Sequence, residues 1–105
     1  MKSEDLNRVR ELLSPLFAQN GVKKAVLFGS FPRETGTRKS DIDLMIVKDT
    51  AKRFFDRYEE FDGIHDLVKD RAVDMLIHTP EELLNISHRS FVRKILEEGI
   101  TIYEH

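Results

Sequence analysis

The sequence contains no cysteine, so disulfides and thiolate metal sites are excluded at the outset. It has no apolar run of membrane-spanning length, and its first residues, MKSEDLNRVR, lack the hydrophobic stretch of a secretory signal. Large net charge is missing too. A formal value of −2 argues against a phosphate-backbone clamp for long nucleic acid, though a local basic patch is compatible with it. The four histidines, His65, His78, His88 and His105, show no metal-ligand spacing. There is no repeat, linker or low-complexity segment. What remains is an ordinary globular balance, 40% hydrophobic and 34% charged, in 105 residues. One domain spanning residues 1–105, with no membrane segment and a cytoplasmic location, is the simplest expectation.

The stretch from Leu27 to Val47, LFGSFPRETGTRKSDIDLMIV, organises the chain. Side chains of a strand alternate between faces, so Asp41 and Asp43 share one face while Ile42, Leu44 and Ile46 take the other. One face would then pack a core and the other hold a cation. Hard carboxylate oxygens suit Mg²⁺, which keeps several waters and completes its shell from substrate phosphates. Gly29-Ser30 supplies a place for those phosphates: glycine admits close backbone approach, and Ser30 with Pro32 reads as the start of a helical turn whose free N–H groups attract anions.

The remaining pattern alternates helices and strands. Leu6, Val9, Leu12, Leu13, Leu16 and Phe17 recur at helical spacing from Ser3 to about Asn20, with Pro15 inside the pattern and Gly21 at its end. Strands are predicted over Lys24–Phe28, Asp41–Val47 and Arg71–His78, the last with Val73, Met75 and Ile77 on one face. Phe31 to Lys39 is predicted as a short helical turn and loop. A second helix is predicted over Thr50–Lys69, with Phe54, Phe55, Tyr58, Phe61 and Ile64 as its apolar positions and Gly63 interrupting it. Any of those rings left exposed would mark a contact surface. Thr79-Pro80-Glu81-Glu82 is a capping-box helix start. The helical region after it runs to Glu98 with a break near Ser87, and its core positions would be Leu83, Leu84, Ile86, Phe91, Val92, Ile95 and Leu96. Gly99 stops it, and Ile100–Tyr103 reads as an edge strand. The fold class is α/β (α+β), a small β-sheet covered by helices.

Gly29-Ser30, Arg33 and Ser40-Asp41-Ile42-Asp43-Leu44 resemble the signature of the minimal nucleotidyltransferases, a branch of the DNA polymerase β-like nucleotidyltransferase superfamily. The resemblance implies a mixed sheet of the polymerase β-like fold and a third carboxylate on a neighbouring strand, for which Asp74 is the candidate. As the acidic residue of an otherwise apolar strand, Asp74 is expected to be buried and to need a compensating metal or arginine. The implied reaction is nucleotidyl transfer from a nucleoside triphosphate, ATP by family precedent, to a hydroxyl, with two Mg²⁺ ions held by Asp41, Asp43 and Asp74. Gly29 and Ser30 would hold the β- and γ-phosphates, with Arg33 as a bidentate partner and Lys39 as a looser one. Ser40 would set the start of the strand.

The sequence departs from the family pattern at Glu34, where relatives often carry glycine. Relatives commonly pair with a HEPN-domain toxin and act as its antitoxin, in some systems by AMPylating it. A HEPN-type partner is therefore the expected acceptor. Two alternatives stand beside this: a non-catalytic antitoxin that works by occlusion, and an antibiotic-modifying nucleotidyltransferase whose pocket a second copy would complete. Homo-oligomerisation stays open at this point.

Overall fold

In the computed structural model, residues 3–29, 41–69 and 71–105 are described, with side chains from residue 6 onward. The first helix, α1 (Ser3–Gln19), keeps Pro15 within it. It ends where Asn20 folds its side-chain amide back onto the Leu16 carbonyl and Gly21 takes a φ of 68°. Four strands follow in one sheet: β1 (Val22–Phe28), β2 (Ile42–Lys48), β3 (Val73–His78) and β4 (Ile100–Glu104), in the order β3-β2-β1-β4. β1 runs antiparallel to both β2 and β4, whereas β2 and β3 are parallel. The sheet is thus mixed, and the C-terminal strand lies on an edge, as expected.

The main core lies on one face of the sheet. Val9, Leu13 and Phe17 of α1 recur every four residues and bury against Leu27, Leu44, Ile46, Ile77 and Ile102. Phe61 and Ile64 close the same core, and the Phe17 and Phe61 rings sit 6.5 Å apart at a tilt. The opposite face is covered as well. Val26, Met45 and Ile95 form a second, smaller cluster with Phe28, Leu76 and Leu83 packed against it. Met45 and Val47 are therefore buried along with Ile42, Leu44 and Ile46, and β2 is not a one-sided strand. Only its first turn of the pleat leaves room for a polar site.

The helix predicted over Thr50–Lys69 is replaced by a 3₁₀ segment, Phe54–Phe61, and a short α2, Gly63–Leu67. The threefold period stacks Phe54, Arg57 and Glu60 on one ridge. That ridge carries two ion pairs to other elements. Arg57 makes a two-pronged contact with Glu82, at 2.6 and 2.9 Å, and donates to the Ile77 and Lys52 carbonyls. Glu60 pairs with the buried Lys48 and with Lys52. On the neighbouring ridge Tyr58 donates its hydroxyl to the Met75 carbonyl at 2.7 Å. Phe55, by contrast, is 83% exposed and is not a core residue.

Thr79 begins α3 (Pro80–Ile86) with the expected reciprocal capping box, Glu82 N–H to Thr79 Oγ1 at 3.1 Å and Thr79 N–H to Glu82 Oε1 at 3.0 Å. The break near Ser87 is present, and α4 covers Ser90–Glu98. Three of the positions predicted as core on these helices are instead exposed: Leu84 (73%), Phe91 (59%) and Leu96 (41%). The reason is geometric. α3 has no buried residue and α4 buries only Val92 and Ile95, so each presents a narrow stripe to the sheet rather than a broad face. No described helix is long and apolar enough to cross a membrane.

Candidate active site

The register of the sheet puts Phe28, Asp43 and Asp74 in one row across three adjacent strands. Cα partners on neighbouring strands point to the same face, so these three side chains stand together. The next row inward is Val26 and Met45 with Leu76, all in the smaller core. That row fixes the direction: Phe28, Asp43 and Asp74 face the α3/α4 side, with Phe28 packed against the smaller core and the two carboxylates at its edge. The sequence pattern of β2 and β3 decides this, because Ile42, Leu44, Val73 and Met75 are drawn into the larger core on the other face.

Asp43 is half-buried. Burial pushes its carboxyl above the ordinary aspartate value, and the negative charges of Asp74 and then Asp41 push it further. Asp41 precedes the first residue of β2 and is exposed. Asp74 is exposed too, which corrects the expectation of a buried charge. On an apolar strand its side chain points past the end of the second core into solvent, so no arginine is needed to compensate it. The Asp43 and Asp74 backbones are tied by the sheet itself, reinforced where the Ile42 N–H donates to the Ala72 carbonyl at 2.8 Å.

Gly29 follows β1 with φ of 81°, a conformation that favours glycine. Its α-carbon faces the Asp43 carboxylate so closely that any side chain would overlap Oδ2. The Gly29 backbone and the Asp43 carboxylate therefore meet at one end of the sheet, with Asp74 beside Asp43 in the same row. Ser30, Arg33, Glu34, Lys39 and Ser40, with the loop predicted over Phe31–Lys39, lie outside the described residues.

The donor set suits a hard divalent cation. Carboxylate oxygens dominate, and their mutual repulsion at Asp43 is what a cation would relieve. Among the described residues no group of three or more His, Cys, Asp and Glu side chains is placed to hold a metal ion on its own. His78 belongs to a different place. It packs against Phe54 and lies 3.8 Å from Glu82, at the far end of β3, and burial holds its pKa down.

Two aromatic residues adjoin the carboxylate row, neither of which the sequence assigns to the site, and Phe91 is expected in the core instead. Phe28 closes β1 in the same row as Asp43, and the Phe91 ring meets it nearly edge-on, with centroids 6.0 Å apart and planes at 85°. The alternation of β1 places Phe28 on the face of Val26, but only the strand register brings it beside Asp43.

A mixed sheet whose internal strand β2 opens on Asp41-Ile42-Asp43 beside the Gly29 turn is the arrangement that the polymerase β-like resemblance implies. The family model described as "Polymerase beta, Nucleotidyltransferase" matches residues 11–105. The chain belongs to that family and is a nucleotidyltransferase, as the resemblance to the minimal nucleotidyltransferases implied. Two proteins of Methanocaldococcus jannaschii, both named "Putative protein adenylyltransferase", are similar to it. MJ0435 is 30% identical over 92 residues, covering 69% of this chain and 99% of the relative, and MJ0604 is 39% identical over 88 residues, covering 78% and 79%.

Among solved structures, a mutant form of the toxin–antitoxin MntA–HpeT superposes with a TM-score of 0.65 at 17% identity, over 91% of this chain and 73% of that one. A toxin–antitoxin with AMP-PNP superposes with a TM-score of 0.63 at 20% identity and the same coverage. These two likenesses show a shared fold.

Proposed function

We propose that this chain transfers AMP from ATP to a hydroxyl on a protein partner, with Mg²⁺ as cofactor, and that the partner is a toxin it restrains. The observation that carries the reading is the row in which Asp43 and Asp74 stand side by side with the Gly29 backbone against the Asp43 carboxylate. The relatives named as protein adenylyltransferases favour a protein acceptor. The toxin–antitoxin structures, one with AMP-PNP, favour a toxin as that protein and ATP as donor. A HEPN domain on the toxin is carried over from the family resemblance.

Asp41 and Asp43 would hold Mg²⁺, with Asp74 serving the side nearer the acceptor. The chemistry such ions supply is neutralisation of charge on the attacking and leaving oxygens of an in-line displacement. Gly29 would let the triphosphate approach the backbone, in a role shared with Ser30, Arg33 and Lys39. The acceptor oxygen bonds to the α-phosphorus as the bond to the bridging oxygen of the β-phosphate breaks, and pyrophosphate leaves. Asp74 is exposed beside Asp43, so its carboxylate would be accessible to an acceptor hydroxyl and could take its proton.

The test is incubation with α-labelled ATP and Mg²⁺ in lysate from the source cells, beside an Asp41→Asn, Asp43→Asn double variant. Label on a protein that needs Mg²⁺ and disappears in the variant supports the reading. Should the intact protein bind and silence a co-purifying partner with no label transferred, and the double variant silence it equally, occlusion would replace catalysis.

A further inference from the structure

Resting on the nucleotide-transfer reading above, we infer that Phe91, braced by Phe28, is the platform on which the base of the nucleotide stacks. Phe28 is the Cα partner of Asp43, so the two residues lie one strand spacing apart, about 4.8 Å, and on the same face. Phe91 extends that wall by a further 6.0 Å between centroids. A nucleotide with its α-phosphate at Asp43 carries its base beyond the ribose, and the Phe28–Phe91 pair is the aromatic surface adjoining that carboxylate row.

The Phe91 ring is also prepared for such a contact. It is 59% exposed although it belongs to a helix whose neighbouring apolar residues, Val92 and Ile95, are buried. Contact with Phe28 at 85° is edge-to-face rather than stacked, and the ring's 59% exposure leaves aromatic surface open to a ligand. The ring is held from behind, because Phe28 packs on the Val26, Met45 and Ile95 cluster. Among the described residues the other exposed aromatic, Phe55, lies elsewhere. Phe55 contacts Phe54, which lies against His78, four residues and about 13 Å along β3 from Asp74.

Stacking on an aromatic side chain tolerates any base, since every base has a π-face. The platform therefore contributes affinity for the nucleoside half of the ligand and nothing for its phosphates. That split is the measurable signature.

Isothermal titration of the whole protein with ATP and with inorganic tripolyphosphate, both with Mg²⁺, tests it. Phe91→Ala is expected to weaken ATP roughly tenfold and to leave tripolyphosphate unchanged. Phe91→Trp should bind ATP at least as well as the natural protein, while Phe91→Leu, which keeps apolar bulk without a π-face, should bind like the alanine variant. Equal weakening of both ligands, or full ATP affinity in the alanine and leucine variants, overturns the platform. So does a variant that binds ATP normally but transfers label poorly, which would assign the ring to the acceptor. If the natural protein binds neither ligand, the nucleotide-transfer reading falls and takes the platform with it. Binding of both by the natural protein, with no ATP-specific loss in the variants, removes the platform alone.

Discussion

A methyl group on Gly29 would occupy the space of Oδ2 of Asp43, so the turn after β1 and the carboxylate on β2 are built against each other. Gly29 also has a φ of 81°. Gly29→Ala therefore meets two penalties. The backbone conformation costs about 1–2 kcal/mol for a residue with a β-carbon, and the carboxylate must turn away. Nucleotide transfer is expected to fall by about 100-fold, since an ångström of misplacement at a reacting centre has that effect. Parallel thermal melts and label-transfer rates check it: a loss of activity much larger than the loss of folded protein identifies the carboxylate as the damaged element.

Asp43 carries a different tension. Burial, Asp74 and Asp41 all disfavour its ionised form. Asp43→Asn removes a charge that the fold holds at a cost, so the metal-free variant should be more stable than the natural protein at neutral pH. A gain of about 0.5 kcal/mol is reasonable for a half-exposed site, which corresponds to roughly 2–4 °C in melting temperature. Transfer activity should be abolished in the same variant. Adding Mg²⁺ should raise the melting temperature of the natural protein and leave that of the variant unmoved. A variant less stable than its parent in the absence of metal would contradict this account of the site.

The Arg57–Glu82 pair gives the stability a pH dependence. Arg57 is buried, and its hydrogen bonds, with that from the Thr79 N–H, bring Glu82 from 4.5 down to about 2. A depressed carboxyl pKa stabilises the fold fully above about 4.5, and this contribution drains away as pH falls toward 2. His78 also faces Glu82, and its own pKa is held down, chiefly by burial. Glu82→Gln keeps an acceptor for Arg57 but removes the charge. Because Glu82 is partly solvated, the expected loss at neutral pH is only about 1 kcal/mol. Urea unfolding at pH 7 and at pH 2.5 should show the gap between variant and parent close at the lower pH.

Much of this architecture is legible in the amino-acid order, for physical reasons that also explain the rest. Leu13 and Phe17 announce α1 because one helical stripe meets one core. Thr79 and Glu82 announce α3 because a capping box is local chemistry. Ile42, Leu44 and Ile46 fix the inner face of β2. Asp74, in contrast, looks buried in the sequence because its neighbours are apolar, and only the end of the second core at Leu76 shows that it reaches solvent. Leu84, Phe91 and Leu96 have helical spacing, yet their helices share a narrow strip of sheet. The meeting of Phe28 with Asp43 is a matter of register between strands, which no local pattern encodes. The 3₁₀ form of Phe54–Phe61 depends likewise on distant partners of Arg57 and Glu60, on α3 and β2.

Gly99 provides a mechanical test of how the second face is supported. Its backbone is extended, with φ of −71°, so no conformational demand requires glycine there. Space does: a β-carbon would overlap Val26 Cγ1 and press on the Ile95 carbonyl. Gly99→Ala should destabilise the fold by about 1–3 kcal/mol, as overpacking does. Gly21→Ala offers the contrast, because the space around Gly21 is open and its cost, about 1–2 kcal/mol, comes from φ of 68° alone. The two mechanisms separate in a double-mutant cycle with Val26→Ala. Removing Cγ1 should relieve part of the Gly99→Ala penalty and none of the Gly21→Ala penalty, so coupling appears in the first cycle and is absent in the second. Val26 also supports the cluster on which Phe28 rests. A shift of α4 away from Gly99 would carry Phe91 with it, so the Gly99 variant should lose ATP affinity beyond what its folded fraction explains, whereas the Gly21 variant should not.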